Sequence, residues 1–144
     1  MTEHFSLEEF LRSDTATRLK IANTPTAAHL KNLQVLALGM EAIRTLLGNR
    51  PVIITSGYRN PMVNKAVGGV ATSAHALGYA ADFSVRGLTP LQAGRIIRDS
   101  KLKFDQLIHE VSRNILHVSF DPRLRRQVLT QEKGPGTPFK IGLA

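Results

Sequence analysis

The stretch ATSAHALGYAADFSV, Ala71 to Val85, holds one histidine, one aspartate seven residues later, and mostly small residues around them. Small side chains fill little core volume. Two readings are open. One is an ordinary loop running into a strand; the other is a place where backbone and side chains crowd around a bound ion. The second half, AADFSV, alternates as a strand does. It sets Ala81, Phe83 and Val85 on an inward face and Asp82 and Ser84 on an outward one.

The segments around this stretch decide the fold class. FSLEEFLRS reads as a short helix with Ser6 and Glu9 as a capping box and Phe5 and Phe10 as a hydrophobic staple. TPTAAHLKNLQVLALGMEAIRTLLG reads as the longest helix, with Thr24 as N-cap, Pro25 at its first position and Gly48 as its stop. Leu30, Leu33, Leu36, Met40, Ile43 and Leu47 recur at spacings of three and four and mark its core stripe. PVIITSGYR is a short strand broken at Gly57, and NPMVNKAVGG is a two-turn helix that Asn60 caps. LTPLQAGRIIRDS is a further amphipathic helix with Thr89 as cap and Gln92 completing its box. KFDQLIHEV and NILHVSF read as two strands of a hairpin. Helices and strands do not alternate regularly, so the class is α+β: a small antiparallel sheet with helices packed on one side.

The length of 144 residues suits one domain with its own core. No apolar run is long enough to span a bilayer, and MTEHFSLEEF shows no secretory signal. There is no cysteine, so a metal would have to be held by histidine and carboxylate. The net charge of +8 favours polyanions such as nucleic acid, an acidic membrane or a cell-wall polymer. Four of the basic residues, Arg123, Arg125, Arg126 and Lys133, lie in RLRRQVLTQEK after Pro122. No aromatic residue interleaves with that run, which argues against single-stranded nucleic acid. The final EKGPGTPFKIGLA reads as an extended tail.

Strand parity singles out the candidate chemistry. In NILHVSF, Leu116, Val118 and Phe120 form the core face and leave His117 on the polar face. If its strand shares a sheet with AADFSV, Asp82 and His117 project together, and His75 can join them across the turn at Gly78. A His, Asp, His set with one open position is the pattern of a catalytic zinc site. Such a site needs a base, and Glu110 is the nearest carboxylate. Arg59, at a strand end, can hold a carboxylate or an oxyanion. His4 and His29 read as surface residues, and His109, in parity with Leu107, as packed.

SGYRNPMVNKAVGG, SAHALGYAAD, FDQLIHE and LHVSF together resemble the zinc D-Ala-D-Ala carboxypeptidase family over Phe5 to Asp121. That family includes phage endolysins and is related to the lysostaphin-type enzymes and the hedgehog N-domain. The resemblance implies a zinc ion on His75, Asp82 and His117, and a substrate contact through Arg59. It implies a place for Ser73 in the substrate site and makes Glu110 the choice for general base. One departure stands out: family branches carry an acid three residues before the last ligand or a histidine two before it, where this chain has Asn114 and Ile115.

The implied activity is hydrolysis of a peptidoglycan stem peptide, as a D,D-carboxypeptidase or an endopeptidase of a phage or prophage. The implied protein is monomeric and binds no nucleic acid, and its basic surface is compatible with an anionic cell envelope. Without a visible signal it would stay cytoplasmic until released to the wall, or travel with a virion. Residues 1–121 would form the peptidase domain, and 122–144 a basic segment and Gly/Pro-rich tail packed on or trailing it. The alternative is a zinc-binding recognition module of the same fold that has lost catalysis.

Overall fold

Sequence-local signals set most of the element boundaries in the computed structural model, which describes Met1 to Ala144. The elements are α1 (Leu7–Leu11), α2 (Asp14–Leu19), α3 (Ala27–Leu46), β1 (Val52–Ser56), α4 (Pro61–Ala66), α5 (Ala74–Leu77), β2 (Ala80–Val85), α6 (Pro90–Arg98), β3 (Gln106–Glu110), β4 (Ile115–Ser119), β5 (Gln127–Gln131) and β6 (Lys140–Ile141), with a 3-10 turn at Val111–Arg113 between β3 and β4. The Ser6–Glu9 and Thr89–Gln92 capping boxes form as expected. The Phe5 and Phe10 rings lie 6.1 Å apart. Asn60 caps α4 through the backbone N–H of Val63.

The long helix starts later than expected. Thr26, not Thr24, is its N-cap, because His29 at the third helical position returns the bond to the cap backbone. Pro25 therefore lies before the helix. The core stripe runs through Leu33, Leu36, Ala37, Met40, Ile43 and Leu47, while Leu30 is exposed.

The six strands lie in the order β1-β2-β4-β3-β5-β6. Every pairing is antiparallel except β3 with β5. One face carries Ala81, Phe83, Leu107, Leu116 and Val118 into a core shared with Phe10, with α3 and with Ala93 and Ile97 of α6. On the other face Asp82 stands opposite His117, and His117 stands opposite Ile108. That face is not open at this point: Asp82 is fully buried. No helix is long and apolar enough to cross a membrane.

The residues after Pro122 add two strands that the sequence reading did not anticipate. Alternation is weak in QVLTQ, and its basic approach masks it. Much of that basic run is paired with acids and carbonyls of the same chain. Arg125 grips Asp105 with Nε and Nη2, both at 2.8 Å. Arg123 pairs with Asp121 at 3.0 Å. Arg126 donates to the carbonyls of Arg98, Ser100 and Leu102 and lies 4.6 Å over the Phe104 ring. These contacts satisfy the end of α6, where orphan carbonyls need donors.

Candidate metal centre

Three elements bring the cluster together. Asp82 and His117 are cross-strand partners on β2 and β4. His75 comes from α5, a single turn that Ser73 caps through the His75 N–H at 3.2 Å. Gly78 ends that turn at φ +86°, where its missing side chain leaves room for the His29 carbonyl of α3. Asn32 donates to the Leu77 carbonyl at 2.7 Å and ties the same turn to α3. The small residue at 78 thus serves helix closure and packing, not clearance around an ion alone.

The three ligand atoms form a nearly equilateral triangle. His75 Nε2 and His117 Nδ1 each lie 3.1 Å from Asp82 Oδ1 and 3.2 Å from one another. Ligand atoms at about 2.0–2.1 Å from a tetrahedral zinc lie roughly 3.3 Å apart, so the separations fit. The donor chemistry fits as well. His75 Nδ1 lies 2.7 Å from the Gly57 carbonyl, which can only accept, so the proton sits on Nδ1 and Nε2 presents a lone pair. Burial is the largest influence on His75 and pushes its pKa down, keeping the ring neutral. Burial works to raise the Asp82 carboxyl, but the two imidazoles outweigh it and hold the group well below the usual carboxylate range. A carboxylate oxygen and an imidazole lone pair thus face each other in a buried space, an arrangement that a cation satisfies. His75, Asp82 and His117 are the residues that would hold it.

Cationic and acidic groups surround the cluster. Arg59 donates through Nε to Ser56 Oγ at 3.3 Å and through Nη2 to Asp82 Oδ2 at 3.4 Å. Its backbone N–H donates to the His75 carbonyl at 3.1 Å. Asn23 holds this loop from outside, donating to the Leu11 and Tyr58 carbonyls and accepting from Asn60 N–H. Glu110 lies opposite Ile115 in the β3–β4 ladder, so its side chain shares the face of His117. Burial, and then Asp82, raise its pKa, and Arg113 opposes them. Arg113 Nη1 donates to Glu110 Oε1 at 3.1 Å and lies 3.5 Å from Asp82 Oδ2.

The departure at 114 has a backbone cause. Asn114 adopts a left-handed conformation, φ 54°, to return the chain from the 3-10 turn into β4. Asparagine tolerates that conformation better than most residues. Sequence reading missed Arg113, Asn23 and the Gly57 carbonyl. The spacing of Glu110 and Arg113 across a tight turn was the one available signal.

The other histidines serve structure. His109 packs in the core and its Nδ1 lies 2.9 Å from the Ala144 carbonyl oxygen. His4 is exposed beside Glu41, and His29 stacks 4.8 Å from the Tyr58 ring. A cleft of about 770 Å³ opens over the cluster, and Arg59, Ser73, Glu110, Arg113 and His117 line it.

Comparison with curated proteins returned no match. A family profile described as Peptidase M15 matches residues 3–119, a span that runs from before α1 to the last residue of β4 and includes the whole cluster. With that match over most of its length, and with a His-Asp-His set at the base of its cleft, the chain belongs to the peptidase M15 family.

Proposed function

We propose that this protein is a zinc-dependent hydrolase of peptidoglycan stem peptides, acting as a D,D-carboxypeptidase or endopeptidase in phage or prophage lysis. One observation carries the reading: two imidazole nitrogens and a carboxylate oxygen, each able to ligate a metal, converge within 3.2 Å of one another beside a peptide-sized cleft. Zinc bound there supplies Lewis-acid polarisation of the scissile carbonyl and lowers the pKa of water. Glu110 accepts the proton of the attacking water on a carboxylate oxygen and hands it to the leaving amine nitrogen. Its pKa, raised by burial and by Asp82, makes it a stronger proton acceptor than an ordinary carboxylate. Arg59 fixes Asp82 and turns its remaining nitrogen, Nη1, toward the substrate carbonyl oxygen. Ser73 lines the cleft wall beside His75. In this reading the protein acts as a monomer, released from the cytoplasm to the wall or carried on a virion. Its exposed cations favour an anionic envelope over nucleic acid, since much of the basic run is paired internally.

The test is mass spectrometry of purified peptidoglycan after digestion with and without a chelator. The product masses identify the bond cut, and products that persist under chelation refute the zinc requirement. Glu110→Gln is expected to slow hydrolysis by about 10²–10⁴-fold with zinc content unchanged. The absence of an acid at Asn114 favours a second reading, a zinc-binding recognition module. That reading predicts a parent protein that binds zinc and wall material but releases no products.

A further inference from the structure

One flank of the cleft is built after β4, beyond the span shared with the family. Gln131, Pro135, Gly136 and Phe139 line it beside Glu110 and His117. Bonds within the segment fix its shape. Gln131 stands opposite Glu110 in the β3–β5 ladder and donates through Nε2 to the Thr137 carbonyl at 3.1 Å. The Thr137 hydroxyl donates to the Gly134 carbonyl at 2.6 Å, and Gly134 is buried beside Ser112 of the 3-10 turn. Lys140 Nζ meets Glu132 Oε1 at 2.9 Å across the turn. The sheet face that carries Asp82 and His117 continues onto this segment as an apolar row. His117 stands opposite Ile108, Ile108 opposite Leu129, and Leu129 opposite Ile141. Ile108 is buried, Leu129 half-buried and Ile141 97% exposed. Phe139, two residues before Ile141, is 51% exposed. An open sheet face ordinarily carries polar side chains.

We propose that Phe139 and Ile141 form an apolar subsite that receives an aliphatic side chain of the substrate three to four residues from the scissile bond. This deepens the peptidase reading and rests on it. Neighbouring strands lie about 4.8 Å apart, so the row from His117 on β4 to Ile141 on β6 spans about 14 Å. An extended peptide covers that distance in about four residues. Ile108 and Phe139 both line the cleft, so a chain held over His117 and running outward along the row stays on the protein. The occupant is aliphatic and not charged, because the side chains of Phe139 and Ile141 offer no polar atom and Lys140 between them is paired with Glu132. Its docking removes from water two apolar groups that the fold leaves exposed. The segment after β4 thus selects among substrates by a residue remote from the cut and contributes binding energy there.

The experiment compares zinc-loaded parent, Phe139→Ala, Phe139→Leu and Ile141→Ser. The substrates are stem peptides extended on both sides of the cut bond, with glycine, alanine or norvaline at the third or fourth residue from it. It reads kcat/KM, and binding of the same peptides by calorimetry. In the parent both should rise about two- to fourfold for each carbon added at one of these positions, the worth of removing a methylene from water. Phe139→Ala and Ile141→Ser should flatten that gradient, and Phe139→Leu should keep part of it. Both residues are exposed, so the variants should melt within about 3 °C of the parent. A flat series in the parent, or the same gradient in parent and variants, overturns the proposal. So does a parent that sediments as a dimer beside a monomeric Phe139→Ala, since the patch then belongs to a second copy. A parent that binds the series with the gradient but cleaves none of it counts against the peptidase reading and sustains the subsite.

Discussion

Gly57 joins the fold to the metal centre, and replacing it with alanine tests that joint. A Cβ at this position would stand 2.5 Å from the Phe10 carbonyl oxygen and 2.8 Å from Phe10 Cα. Comfortable contact needs about 3.5–4.0 Å, so the two segments must part by roughly 1 Å. Both obstructing atoms are backbone and cannot rotate away. Phe10 is fully buried, which resists movement of α1. The Tyr58 N–H bond to Phe10 O, 2.8 Å, crosses the same joint. Overpacking costs about 1–3 kcal/mol and loss of that bond about 1 more, so Gly57→Ala should lose about 2–4 kcal/mol. For a chain of this size that lowers the melting temperature by about 6–12 °C. The Gly57 carbonyl also fixes the His75 tautomer, and losing such a partner weakens metal binding by about 10–100-fold. Thermal unfolding with and without zinc, and zinc titration against a chromophoric chelator, measure the two effects. A variant that melts within about 2 °C of the parent and binds zinc equally well refutes the coupling.

Two further outcomes follow from the same geometry. Zinc at a hundred times its dissociation constant should add about 2.7 kcal/mol of stability, so chelation should lower the melting temperature and added zinc restore it. A melting temperature indifferent to the chelator would contradict the cluster's role. Asp105 concerns acid stability. Its hydrogen bonds with Arg125 hold its carboxyl below the usual carboxylate range. Its folded pKa is thus depressed, so its contribution is present above the unfolded value, about 3.9, and is lost as pH falls through the folded value. Asp105→Asn should cost about 1.5–3 kcal/mol at neutral pH and flatten the loss of stability below pH about 4. A parallel shift of the whole stability curve across pH would show that Asp105 contributes no titrating bond.

Elements with their signals inside one turn of chain were legible in advance. The capping boxes of α1 and α6 and the Asn60–Pro61 start of α4 are examples, because cap, box and proline act over three or four residues. The cap of α3 was misplaced at Thr24, because the reciprocal bond of His29 that selects Thr26 carries no capping-box acid to mark it. Strand β5 escaped because its residues are paired by β3, a strand more than fifteen residues away, and not by their own alternation. The α5 turn escaped for a similar reason: four residues do not make a periodic pattern, and contacts from Asn32 and His29 hold it.

The site divides along the same line. Parity along a strand alone put Asp82 and His117 on the face away from their apolar neighbours, because side chains alternate with period two whatever the partner. His75 as third ligand and Glu110 as the acid were candidates from turn and position, and the resemblance singled them out. Only the tertiary structure decided that Asp82 is buried beneath two guanidiniums and that Glu110 shares the face of His117. Those facts depend on sheet register, on a left-handed residue at 114 and on a carbonyl at 57, and each is fixed by groups distant in the chain.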